Sequence, residues 1–72
     1  MFTLNDLLDY GVECQGNVKV LMIMEGDGEV KEVFSGNDLR QIPYGIGCKE
    51  LAYIYSKCDE NDVYTYYEVN EE

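Results

Sequence analysis

The chain contains no histidine and no tryptophan, and it carries only five Lys or Arg residues against fifteen Asp or Glu. Its formal net charge is therefore −10 at pH 7 in only 72 residues. A negative field of this density repels nucleic acid and anionic membranes, and it attracts the basic surfaces that proteins use to grip phosphate backbones. The few basic residues are scattered along the chain, so direct nucleic-acid binding is disfavoured.

Long apolar runs are also missing, since the longest, Val20 to Met24, is far shorter than the ~20 residues of a membrane span. The start of the chain, Met1 to Asp6, has no basic segment of the kind that opens a secretory signal. We therefore expect a cytoplasmic protein that does not contact a membrane.

No catalytic, metal-binding or cofactor-binding motif occurs in the sequence, which predicts a protein that is not an enzyme and holds no cofactor or metal. Fifteen acids make accidental carboxylate pairs unavoidable. A chain this small has little room for the water-excluding pocket that acid–base catalysis needs, so a small hydrolase or metal-dependent nuclease is a third, less favoured hypothesis.

The three cysteines, Cys14, Cys48 and Cys58, are odd in number, have no C-x-x-C spacing and lack a histidine to complete a zinc site. We expect reduced thiols that act as small, buried apolar residues. Only Lys49, next to Cys48, could activate a thiol, and the negative field of the chain opposes that activation.

The length supports a single domain, residues 1–72, and the apolar content of 46% is too high for a disordered acidic tail. A short helix is predicted from about Thr3 to Tyr10, because Thr3 and Asp6 are spaced as a capping box and Gly11 can end the helix. Leu4, Leu7 and Leu8 form its apolar stripe.

Alternating apolar residues predict four strands in two hairpins. Asn17–Glu25 is apolar on both faces in its middle, which favours a central strand, and Gly26-Asp27-Gly28 turns the chain into Glu29–Phe34. After a long connection with one helical turn at Leu39–Ile42, the second hairpin comprises Glu50–Ser56, a polar turn and Val63–Val69. The predicted fold is α+β, with one N-terminal helix packed on a four-stranded, mainly antiparallel sheet built from two hairpins.

Acids and tyrosines are concentrated in the last fifteen residues, which contain no Lys or Arg. Tyrosine offers a large contact area with a polar tip, and carboxylates bind arginine in bidentate pairs. We therefore predict a partner-binding face made of Asp59, Glu60, Asp62, Tyr64, Tyr66 and Glu68. In the alternative interpretation, the sheet is half-buried, the acids keep the protein soluble, and cross-strand pairs are formed by Tyr53, Tyr55, Tyr64 and Tyr66; both interpretations can hold.

Several segments together carry a resemblance: a helix of the type Thr3–Leu8, a turn at Gly26-Asp27-Gly28, an Ile42-Pro43 loop, and closing strands around Glu50–Tyr55 and Tyr64–Val69. This layout resembles a loose class of very short acidic proteins encoded by bacteriophages and other mobile elements of Gram-positive gut bacteria. Some small acidic phage proteins, including several anti-CRISPR inhibitors, occupy the nucleic-acid groove of a host nuclease, and the resemblance implies that role as one option. The resemblance does not identify any functional residue in this chain.

The leading hypothesis is a non-enzymatic, acidic interaction module that binds the basic surface of a nucleic-acid-handling protein and inhibits it by imitating nucleic acid. The alternative, from another class, is a self-associating accessory protein whose functional unit is a homodimer. Leu21, Ile23 and the tyrosines favour that alternative, because an apolar patch on a small sheet is usually covered.

Overall fold

A computed structural model of the protein describes residues 1–11 and 16–71, without the side chain of Asp59. The elements, in chain order, are α1 (Leu4–Asp9), β1 (Asn17–Ile23), β2 (Val30–Gly36), a 3-10 turn (Leu39–Gln41), α2 (Tyr44–Gly47), β3 (Leu51–Asp59) and β4 (Asp62–Asn70). The predicted α+β class and the two hairpins are confirmed.

The four strands lie in the order β2-β1-β4-β3, and the central pair β1 and β4 is parallel. The sheet is therefore mixed, and the prediction of a mainly antiparallel sheet was wrong. The reason lies in the connection after β2. It crosses from one edge of the sheet to the other, so that β3 runs in the same direction as β2, and β4 then returns beside β1 in the same direction as β1.

The core lies on one face of this sheet. Its buried strand residues are Val18 and Val20 from β1 and Tyr67 and Val69 from β4. Leu4 and Leu39 complete the cluster from the helical layer, and residues of α1 and α2 are partly buried against it. All helical elements therefore pack on the same face, and the two strands richest in buried side chains occupy the centre.

The N-terminal helix begins as predicted. The Thr3 hydroxyl accepts a hydrogen bond from the Asp6 amide at 3.1 Å, and the Asp6 carboxylate accepts one from the Thr3 amide at 2.9 Å. Gly11 follows with φ +76, a conformation that favours glycine. The expected capping box and helix end are confirmed, although the helix has only 6 residues.

A second short helix, α2, forms at a segment that the sequence indicated to be loop. Propensity is poor there because of Gly45 and Gly47, but Ile46 packs against the core and so stabilises the turn. Gly47 also lies so close to α1 that a Cβ atom on it would sit 2.2 Å from the Asn5 side-chain oxygen. Packing against the core and against α1 stabilises α2, and no local signal in the sequence predicts that packing.

The two exposed cysteines correct another expectation. Cys48 and Cys58 are free thiols, and both are exposed rather than buried. Cys14 lies outside the described residues. Within the described ranges, no helix is long and apolar enough to cross a membrane.

Candidate functional site

The face of the sheet opposite the helical layer carries the tyrosines of β3 and β4. Side chains alternate along a strand, so Tyr64, Tyr66 and Glu68 point away from the core that Tyr67 and Val69 occupy. Tyr55 lies opposite Tyr66 in the strand register and shares this face. We call Tyr55, Tyr64, Tyr66 and Glu68 the tyrosine face.

The residues of the tyrosine face contact one another. The rings of Tyr55 and Tyr66 stack with centroids 5.2 Å apart and an interplanar angle of 4°, and Tyr64 tilts against Tyr66 at 6.3 Å. The Tyr55 hydroxyl donates a hydrogen bond to the Glu68 carboxylate. That hydrogen bond, followed by partial burial and the negative charge of Glu68, raises the pKa of Tyr55 to about 12. The face is thus a connected and half-buried cluster.

A lysine of β1 lies on this face and contacts its tyrosines. Lys19 is opposite Tyr66 in the parallel register of β1 and β4, and its Nζ lies 4.8 Å from the centre of the Tyr64 ring. The same ammonium group is 3.4 Å from a carboxylate oxygen of Glu32 on β2. Lys19 thus makes a cation–π contact with Tyr64 and an ion pair with Glu32.

The β3–β4 hairpin extends beyond the rest of the sheet. Pairing between β1 and β4 starts at Asn17 with Tyr64, so among the described residues Cys58–Val63 pairs only with itself. The described side chains of this segment are all exposed. Only Glu60 and Asn61 separate the two strands, so the turn is tighter than the sequence suggested. We call Cys58–Val63 the acidic tip.

The six predicted partner-binding residues fall into two groups. Tyr64, Tyr66 and Glu68 belong to the tyrosine face, while Glu60 and Asp62 lie exposed on the acidic tip. Asp59 ends β3 at the tip, and its side chain lies outside what the structure describes. All six are on one hairpin, and their role in binding remains a prediction.

Sequence reasoning missed the contribution of Lys19 and Glu32 to this surface. The alternation of β1 places Lys19 on the face opposite Val18 and Val20, which the sequence does show. Its position beside Tyr64 depends on the parallel pairing of β1 with β4, which is a pairing between distant segments. Only knowledge of the strand order would have brought these residues together.

Another set of acids lies at the opposite end of the sheet, where β1 and β4 both end. Glu25, Glu50 and Glu71 line a cleft of about 370 Å³. Glu71 accepts a hydrogen bond from the Glu25 amide at 2.8 Å, and Glu50 accepts one from the Asn70 side chain at 3.1 Å. The carboxylates of Glu71 and Glu50 therefore connect neighbouring strand ends by hydrogen bonds. In the part of the chain that the structure describes, no three acids or cysteines are arranged to hold a metal ion.

The exposed thiol of Cys48 lies in a groove between α1 and α2. It accepts a hydrogen bond from the Asn5 amide nitrogen at 3.5 Å. A hydrogen bond with Cys48 also raises the pKa of the Tyr44 hydroxyl. Neither neighbour is a cation or a strong base, so the contacts of Cys48 give no activation of the kind that a nucleophilic thiol needs.

The architecture is thus a small α+β domain with its helices on one side of the sheet. The β3–β4 hairpin projects past the start of β1 and ends in the acidic tip. Compared with known proteins, the chain matches no family model, no curated protein and no solved structure.

Proposed function

We propose that the protein is a non-enzymatic, cytoplasmic interaction module whose β3–β4 hairpin enters a basic groove of a nucleic-acid-handling protein. By occupying that groove it prevents nucleic acid from binding. The observation that carries the proposal is the acidic tip, a hairpin segment that extends past its neighbouring strand and holds exposed acids.

The shape of the hairpin supports entry into a groove. A two-stranded segment is narrow, and backbone pairing between Cys58 and Val63 keeps it ordered before it meets a partner. A preformed segment loses less conformational entropy on binding than a disordered acidic tail would. The tip can therefore present carboxylates in a fixed arrangement, as nucleic acid presents phosphates.

The charge of the chain supports the choice of partner. A net charge of −10 steers the protein toward basic surfaces and accelerates encounter, and carboxylates on the tip can then form charge-assisted hydrogen bonds with arginine. Basic grooves of this kind are characteristic of proteins that bind phosphate backbones. Among them, a nuclease of a host defence system is the partner class that the resemblance to small acidic phage proteins implies.

The tyrosine face supports a second contact behind the tip. Tyr64 already holds the ammonium group of Lys19 at 4.8 Å from its ring centre, beside Glu32. A lysine or arginine of the partner can meet the Tyr55–Tyr66 stack in the same manner, with Glu68 as the carboxylate. Tyrosines in such positions commonly provide much of the binding energy of an interface.

The test begins by identifying the partner with the tagged chain as bait in a bacterial lysate and stepwise salt elution. The purified partner is then titrated with the native chain in competition with its nucleic acid. We expect the chain to displace the nucleic acid and to bind less tightly as salt rises.

Two variants that lose the same number of charges test whether the acidic tip contacts the partner. One combines Asp59→Asn, Glu60→Gln and Asp62→Asn on the tip, and the other combines Asp9→Asn, Glu25→Gln and Glu29→Gln, which are exposed acids elsewhere. Each loses three negative charges. The tip variant should associate about tenfold more slowly than the control variant. Equal effects of the two variants, or binding that does not respond to salt, would contradict the proposal.

A further inference from the structure

The outer edge of β3 is a strand edge without a described neighbour. β3 is the last strand of the sheet and pairs only with β4. At its start the Leu51 amide donates to the Phe2 carbonyl oxygen at 2.8 Å, so the N-terminal segment covers the edge there. Beyond that point Tyr53–Lys57, which we call the β3 edge, has no strand beside it among the described residues. Such an edge is a template for pairing with another strand.

Apolar side chains are exposed on both sides of the β3 edge. Tyr53 is 61% exposed on the side of the tyrosine face, and Ile54 is 51% exposed on the side of the helical layer. A protein docking on one face of the sheet would cover one of these side chains and leave the other in water. A strand added alongside β3 would cover both.

The two sheet edges differ in where their charges lie. β2 forms the other edge, and it exposes Lys31 and Glu32, charges of the kind that prevent edge pairing. The segment 51–58 of β3 contains no acid at all, in a chain with fifteen, and its single charged residue is Lys57. Of the two sheet edges, the β3 edge is thus the one without an acid to repel a second acidic chain.

We propose that the β3 edge pairs antiparallel with the β3 edge of a second copy, centred on Tyr55, to form a homodimer with one continuous sheet. A basic partner finds no acid on the β3 edge to attract it, whereas a like chain can approach there. In this register Lys57 of one copy lies opposite Tyr53 of the other, on the same side of the sheet. The pair repeats, between copies, the cation–tyrosine contact that Lys19 and Tyr64 make within the chain.

The proposed dimer contact is small, so we expect the affinity between the two copies to be low. Five residues on each side bury less than the ~1,600 Å² of a standard protein interface, and both copies carry a charge of −10. The dimer should therefore be weak and should strengthen as salt screens the repulsion. It leaves the two acidic tips at opposite ends of the shared sheet, so this inference stands independently of the proposed partner.

Sedimentation equilibrium of the full chain in a reducing buffer tests the proposal. The dimer fraction is measured up to high protein concentration, between about 0.1 M and about 1 M NaCl, a range over which the screening length falls from ~10 Å to ~3 Å. We expect the dimer fraction to rise with salt. Binding of a basic partner would respond in the opposite direction, so the two proposals fail separately.

Two variants locate the contact. Ile54→Lys adds a second charge to the β3 edge, in its middle, whereas Val63→Lys adds one at a similarly exposed apolar position of β4, away from that edge. Circular dichroism confirms that each is folded. Ile54→Lys should be monomeric under all conditions, and Val63→Lys should associate like the native chain. A native chain that stays monomeric in ~1 M NaCl, or a dimer that both variants weaken equally, would overturn the proposal.

The register is tested by hydrogen exchange of backbone amides at low and high protein concentration. Pairing centred on Tyr55 predicts concentration-dependent protection within Tyr53–Lys57 and unchanged exchange in β2. Protection of the tyrosine face residues of β4 without protection of the β3 edge would assign the dimer to the open face and overturn the edge pairing.

Discussion

The two hairpins of this protein have the same plan but differ in chemistry. Each contributes one central strand with buried side chains, β1 or β4, and one edge strand, β2 or β3. The first hairpin turns at Gly26 and Gly28, which adopt positive φ without strain, while the second turns at Glu60 with φ +56. The first edge strand exposes Lys31 and Glu32, whereas residues 51–58 of the second contain no acid and one charged residue, Lys57.

This difference indicates a division of roles. The first hairpin has the turn residues and the edge charges that favour a stable, non-associating sheet. The second hairpin holds an acid where glycine would fit better, exposes Asp62 beside it and leaves the β3 edge open among the described residues. Strained backbone at an exposed position is a reason to look for function there. Both proposed contacts, the acidic tip and the β3 edge, lie on the second hairpin.

The largest expected effect comes from the junction between the hairpins. Val20 of β1 and Tyr67 of β4 are partners in the parallel register and are both buried. Tyr67→Ala should reduce the free energy of unfolding by about 3–5 kcal/mol, because it leaves a large cavity. Since a small domain has little stability to lose, both hairpins should unfold together in one transition at lower denaturant.

Tyr53→Ala is the control for this change, since Tyr53 belongs to the same hairpin but is 61% exposed. Measured at low protein concentration, it should change the free energy of unfolding by less than about 0.5 kcal/mol. If Tyr67→Ala left the β1–β2 hairpin protected against hydrogen exchange, the hairpins would be separate folding units.

A smaller effect of the opposite sign is expected at the second turn. Glu60→Gly should raise the free energy of unfolding by about 1 kcal/mol, because glycine adopts the left-handed backbone conformation without the steric cost. Gly26→Ala makes the reverse exchange in the first turn, where φ is +99, and should be destabilising. Thermal unfolding of both variants measures the difference between the turns.

Glu60→Gln separates conformation from charge in that experiment, because it removes the charge and keeps the side chain. It should leave stability nearly unchanged. If Glu60→Gln stabilised the protein as much as Glu60→Gly, repulsion among the acids of the tip would be the cause and the turn would be unstrained.

The hairpins show how far the sequence determines the fold. Local signals were sufficient for the Thr3–Asp6 capping box, for the turn at Gly26 and Gly28, and for the alternation that puts Tyr66 and Tyr67 on opposite faces. The parallel pairing of β1 with β4 could not be predicted, because it joins segments far apart in sequence and follows from where the crossing connection ends. The contact between Lys19 and Tyr64 was missed for the same reason.

The smallest expected effect is a pH dependence within the second hairpin. The hydrogen bond to Glu68 raises the pKa of Tyr55 from 10.0 to about 12. Below pH 10 the phenol keeps its proton in both states, so the bond contributes fully. Between about pH 10 and about pH 12 the unfolded chain releases a proton that the folded chain retains, so the stability from this bond is lost as pH rises. The quantity to measure is therefore the difference in unfolding free energy between the native chain and Tyr55→Phe, at several pH values. That difference should shrink from pH 9 toward pH 12, and a constant difference would mean that the Tyr55–Glu68 hydrogen bond does not stabilise the tyrosine face.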